Sequence, residues 1–166
     1  MRGGLKEVVL FNVQEERLKA AMEAYTSLLL HIAWSYVGNT AEAEDIVQEV
    51  FFTYYQKAPE FRNAEHEKAW LLRVTGNRCK NVLKSNWFKK TLLGEEVYRY
   101  REEFYSGVME AILQLPVKYR EVICLYYVEG YSIKEIAAML KRSVTAVGTQ
   151  LERARKKLKI ELEEEV

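Results

Sequence analysis

The chain has 166 residues, of which 49% are hydrophobic and 12% aromatic, enough for packed cores in one or two small domains. Two prolines and eight glycines leave little room for strands and tight turns, and the apolar periodicity is helical almost throughout, so the expected class is all-α. The formal charge of +1 conceals segregation: residues 62–90 and 132–160 each hold eight Lys/Arg against two Glu, while the rest of the chain is acidic. Two basic islands in an acidic chain read as two separate phosphate-contacting surfaces. A membrane span is excluded, because Leu28, Leu29 and Leu30 sit in an interrupted amphipathic pattern, and no signal peptide is visible. A cytoplasmic location is therefore expected. Cys79 and Cys124 are isolated on apolar positions, which predicts buried free thiols. His31 and His66 lack partners at ligand spacing, which argues against zinc; no cofactor is expected.

In chain order, the first nineteen residues, with VVLF at 8–11, are open between a short extension helix and a flexible tail. Leu18, Met22, Tyr25, Leu29, Ile32 and Tyr36 keep one face of a helix that ends at Gly38–Asn39. A second helix begins at Thr40 or soon after, buries Ile46, Val47, Val50, Phe51 and Tyr54, and ends at Pro59. Its exposed side carries Glu42, Asp45, Gln48 and Glu49, a solvated face or a docking ridge for a basic protein. The helix from Trp70 to about Lys84 divides cleanly: Leu71, Leu72, Thr75, Cys79, Val82 and Leu83 on one side, Trp70, Arg73, Asn77, Lys80, Asn81 and Lys84 on the other. Cations hold phosphates, amides read base edges and an aromatic ring stacks on an unpaired base. That face therefore suits nucleic acid with exposed bases, although Trp70 suits capping of the bundle core equally well. The loop Phe61–Lys68 lies just before it.

Residues 85–106 have no sustained apolar stripe and read as a linker. Pro116 then suits a first helical position, Val122, Ile123, Tyr126 and Tyr127 supply core, and Gly130 suits a C-terminal cap. The stretch SIKEIAAMLKRSVTAVGTQLERARKKL, from Ser132 to Leu158, is the most informative. Ser132 and Glu135 form a capping box, and Ile133, Ile136, Ala137 and Leu140 make a buried stripe. Ser143 caps a second helix whose stripe is Val144, Val147, Leu151, Ala154 and Leu158. This is a helix-turn-helix, which places its second helix in the major groove. The exposed positions of that helix are Thr145, Gly148, Thr149, Glu152, Arg153 and Lys156. The tail 161–166 is acidic.

The segments AEDIVQEVFFTYYQKAPEF, KAWLLRVTGNRCKNVLK, LPVKYREVICLYYVEGYSIKEIAAML and LERARKKL, in this order, resemble the extracytoplasmic-function (ECF) group of bacterial RNA polymerase sigma factors, within the sigma-70 family. The resemblance covers roughly residues 20–160 and implies two small helical domains joined by a linker: 20–84 like sigma region 2, 85–106 as linker, and 107–160 like the region 4 helix-turn-helix. It implies a non-catalytic subunit that binds core polymerase through Asp45, Gln48 and Glu49. By the same resemblance, Phe61, Arg62, Trp70, Arg73, Asn77, Lys80, Asn81 and Lys84 recognise and melt a single-stranded −10 element. Ser143, Thr145, Ala146, Gly148, Thr149, Gln150 and Arg153 read the duplex −35 element. An anti-sigma factor is an implied partner; membrane insertion is not. The chain departs from the family at Lys141 and Arg142, in place of glycine plus an aliphatic residue; a residue adopting φ > 0 at Lys141 would carry some strain. It departs again at Gly148 and Gln150, where basic residues are usual. The competing reading is a conventional helix-turn-helix regulator with an N-terminal dimerisation or sensing bundle. The second basic island and the acidic ridge argue against it, and no nucleophile–base pair or phosphate-cradling loop supports an enzyme.

Overall fold

In the computed structural model, which describes residues 2–57, 59–93 and 107–164, helix α1 runs unbroken from Arg2 to Val37. The opening residues are thus the first turns of the helix that enters the bundle. Gly38 ends it with φ +66°, its N–H donating to Trp34 O at 2.7 Å. That left-handed conformation favours glycine; a Cβ there would lie 2.7 Å from Leu113 Cδ2, a side-chain end that would have to move. Asn39 Oδ1 accepts the Glu42 N–H at 3.0 Å and caps α2, Thr40–Lys57. All five residues predicted to line α2 are buried. Helix α3, Ala64–Leu93, is capped in turn by Asn63, whose Oδ1 accepts the His66 N–H at 2.9 Å.

These three helices pack as a bundle. Leu71, Leu72, Thr75 and Cys79 of α3 are buried, while Val82 and Leu83 are half-buried. The Thr75 hydroxyl donates to Leu71 O at 2.8 Å, which satisfies a buried polar group. On α1, Leu29, Ile32 and Tyr36 are buried as expected, but Met22 is 43% exposed; it faces a groove between α1 and α2 instead of the core. Helix α3 continues nine residues past Lys84, so the start of the expected linker is helical. Residues 94–106 of that linker lie outside the described residues.

The C-terminal half comprises α4 (Gly107–Gln114), α5 (Val117–Ile123), a π-helical turn (Cys124–Val128), α6 (Ile133–Leu140) and α7 (Val144–Glu164). Its core contains Val122, Leu125, Ile136, Ala137, Val147, Leu151 and Ala154. Three expectations fail here. Pro116 is the N-cap of α5 and not its first residue, with φ −53° and ψ 144°. Tyr127 is 58% exposed, because the π-turn inserts a residue into the helical register and rotates the later side chains away from the core. Val144 lies on the same side of α7 as Leu151, but in the first turn beyond the last core residue, and is exposed.

The halves form one continuous core. Tyr36 of α1 donates its hydroxyl proton to Glu121 Oε1 at 3.1 Å, and Glu129 after the π-turn pairs with His31 and accepts from Ser27 Oγ at 3.4 Å. Both cysteines are buried and unbridged. Among the described residues there is no strand, and no helix is long and apolar enough to cross a membrane.

Candidate nucleic-acid interfaces and docking ridge

Helix α2 presents Glu44, Asp45, Gln48 and Glu49 to solvent, because the period that buries Ile46, Val47 and Val50 turns these outward. Glu49 pairs with Arg78 of α3 at 3.1 Å, with both side chains exposed, a contact worth about 0–1 kcal/mol. Glu42, grouped with the ridge in the sequence, is half-buried and accepts from Asn86 Nδ2 at 3.3 Å. The outward acids are therefore a patch one turn further along the helix.

Arg73, Asn77, Lys80, Asn81 and Lys84 are all exposed along one side of α3, as the spacing predicts. Trp70 stands apart from them. It is half-buried and packs edge-on against Tyr54 and Phe61, with ring centroids 6.0 and 5.9 Å away. Of its two readings, capping the bundle describes its contacts. Phe61 also stacks on Tyr54 at 5.9 Å and meets His66 edge-on at 5.5 Å, so the loop before α3 has an aromatic floor. Arg17 Nη2 donates to Pro59 O at 2.6 Å and ties the loop to α1. Tyr54 donates to Glu67 Oε1 at 2.6 Å; burial and then that bond push the Tyr54 phenol up to about 12, which keeps it a neutral donor.

Beside this loop lies a concave site of about 430 Å³ lined by Arg17, Glu60, Phe61, Asn63 and Glu67. It holds an aromatic face, a cation, an amide and acceptors, the set that binds an unstacked base by stacking and by hydrogen bonds to its edge. Phe61 is the member of this set that the sequence anticipates. Arg17 and Glu67 carry no local signal, since fifty residues of chain separate them. Asn63 is legible as an N-cap residue before a helix. Arg62 is exposed on the same loop, its N–H donating to His66 Nδ1 at 3.3 Å.

In the helix-turn-helix, both halves of the capping box form: the Ser132 N–H donates to Glu135 Oε2 at 2.8 Å and the Glu135 N–H to Ser132 Oγ at 3.2 Å. The first of these holds the Glu135 carboxyl below its ordinary value. Lys141 takes the left-handed conformation at φ 52°, and Ser143 Oγ accepts the Ala146 N–H at 3.0 Å. At the start of α7 and along it, Ser143, Thr145 and Arg153 are exposed, whereas Ala146, Gly148, Thr149 and Gln150 are half-buried. A Cβ on Gly148 would meet nothing within 4 Å, so its absence serves no contact inside the protein.

The basic island here is partly committed internally. Arg142 Nη2 donates to the buried Glu121 at 2.7 Å, and Nη1 to Gln150 Oε1 at 3.2 Å. Arg155 Nε donates to Tyr127 Oη at 2.7 Å with its guanidinium over Tyr126 and Tyr127. The departure at Arg142 is thus structural: it connects the turn, the second helix and Glu121.

These features define an all-helical protein with an acidic ridge, a basic face beside an aromatic-floored site, and a helix-turn-helix. The model of sigma-70 region 2 matches residues 21–89 and that of sigma-70 region 4 matches residues 106–158. Among curated relatives, the ECF RNA polymerase sigma factor SigW of Bacillus subtilis is 28% identical over 161 residues, covering 85% of this chain and 86% of that protein. SigV of the same organism, an RNA polymerase sigma factor, is 29% identical over 140 residues, covering 81% and 84%. The fold is shared with the sigma factor RpoE from Bartonella quintana, crystallised with the anti-sigma factor NepR (TM-score 0.63, 22% identity, 89% of this chain and 98% of that one). It is shared also with CnrH in complex with the cytosolic domain of CnrY (TM-score 0.62, 23% identity, 95% and 97%). The chain belongs to the sigma-70 family of RNA polymerase sigma factors, in its ECF group.

Proposed function

We propose that this chain binds core RNA polymerase through the α2 ridge, captures an unpaired −10 strand with the loop before α3 and the exposed α3 face, and reads duplex −35 DNA with α7. The observation that carries this reading is the order of the two family matches: region 2 falls on the helices bearing the ridge and the aromatic-floored site, region 4 on the helix-turn-helix. The two basic surfaces differ in the way their targets differ. The α3 face pairs cations and amides with a site for a base, and suits single strands; α7 is a single helix with polar residues in its first turns, and suits a major groove.

The protein performs no catalysis in this reading. Opening comes from differential affinity, because a site that holds an unstacked base binds the open state better than the closed one. Residues 20–84 and 107–160 act as the two functional units, with 85–106 joining them. An anti-sigma factor belongs to the reading as a family expectation. Substituting Asp45→Arg tests the docking step: association with bacterial core RNA polymerase is expected to be lost in size-exclusion while −35 duplex binding is retained. Undiminished association would remove the ridge from polymerase docking.

A further inference from the structure

The first four turns of α1 form an arm that carries Leu5, Val8, Val9, Leu10, Phe11 and Val13, each at least 50% exposed. Six large apolar side chains on one exposed helical arm form a surface of the kind that marks an interaction site. Its neighbour indicates what covers part of it. Between α1 and α2 lies an apolar groove of about 620 Å³, floored by Leu18, Met22, Val47, Phe51 and Phe52. Glu15 and Glu44 are the charged residues among its walls, with no Lys, Arg or His. At 100° per residue, Val8 and Phe11 fall on the arc of α1 that carries Leu18, Met22 and Thr26 into the groove. Phe11 meets the ring of Tyr55, a groove residue, edge-on at 6.4 Å. Groove and arm are thus one continuous apolar strip about 33 Å long, at 1.5 Å per residue from Val8 to Leu30.

We infer that the Val8–Phe11 face of the arm is a second contact for core polymerase, taking an amphipathic helix with an apolar stripe and basic edges that lies along the groove and continues past Tyr55. This rests on the proposal that the α2 ridge docks on that enzyme. Gln48 lies both on that ridge and on the groove wall, so a polymerase helix seated at the ridge meets the groove, and the acidic walls select basic edges.

The test uses the full chain with Val8→Ser/Phe11→Ser, and as control Leu10→Ser/Val13→Ser, which removes comparable apolar surface from the other side of the same arm. Equilibrium affinity for bacterial core RNA polymerase is measured alongside helicity and sedimentation. The first pair is expected to weaken binding about tenfold or more, with monomer mass unchanged and the control within about twofold of the parent. Unchanged affinity in the first pair, an equal loss in both pairs, or loss of a self-associated species would each overturn the inference. Asp45→Arg separates the two levels. If it abolishes binding while Val8→Ser/Phe11→Ser does not weaken it, only the arm contact falls; if Asp45→Arg binds normally, docking and arm fall together.

Discussion

Glu121→Gln probes a carboxylate that joins α1 to the turn of the helix-turn-helix. Glu121 is 4% exposed; it accepts from Tyr36 at 3.1 Å on one oxygen and from Arg142 at 2.7 Å on the other. Glutamine keeps the volume but is neutral and retains one acceptor oxygen: with that oxygen toward Arg142, its amide N–H₂ faces the Tyr36 hydroxyl, which can accept it only by giving up its own donated bond, and the guanidinium loses its counter-charge. Breaking a buried pair costs about 3–5 kcal/mol. Arg142, with its side chain 26% exposed, regains part of its hydration, which brings the expected loss to about 2–3 kcal/mol. At roughly 2–4 °C per kcal/mol for a chain of this size, Tm falls by about 4–12 °C. Thermal unfolding tracked by circular dichroism measures it, and Arg142→Met completes a double-mutant cycle. The expected coupling is about 1–3 kcal/mol. A change in Tm below about 1 °C, or strictly additive single mutants, would refute the view that this pair organises the turn.

Two more outcomes are set by backbone and burial. Lys141→Gly removes the cost of a left-handed conformation, about 1–2 kcal/mol for an L-residue, and adds about 0.5–1 kcal/mol of glycine entropy, so chemical denaturation should register a gain of up to about 1.5 kcal/mol; destabilisation would contradict it. Burial raises the thiols of Cys79 and Cys124 from 9.0 to about 12. Their folded-state values lie above the unfolded ones, so this contribution to stability is complete below pH 9.0 and is lost as pH rises toward about 12. A denaturation series across that window checks the sign, and native-state thiol titration at about pH 7 should label neither cysteine.

The features legible in the sequence are local. Ser132 with Glu135 and Ser143 act within one turn of themselves, and each caps its helix as the spacing dictates. The exposed face of α3 comes from periodicity alone. The features that escape it depend on distant chain or on register. Tyr36 and Glu121 meet across 85 residues, and Arg17 reaches the loop before α3 from forty-two residues away. Nothing in CLYYV announces a π-turn, so periodicity assigns Tyr127 to the core that the extra residue rotates it out of. Trp70 is ambiguous in the sequence because amphipathic spacing places a boundary ring equally on either side; its edge-on contacts with Tyr54 and Phe61 come from distant chain that the spacing does not show.

The division of labour between α3 and α7 is open to permanganate footprinting of a promoter with core polymerase and this protein, comparing the parent chain with Asn77→Ala/Lys80→Ala. The parent should expose unpaired thymines at the −10 element. The variant should lose that reactivity while −35 duplex binding stays within about twofold of the parent. Thymines equally reactive in the variant, or loss of −35 binding in step with loss of opening, would contradict the assignment of single strands to α3 and duplex to α7.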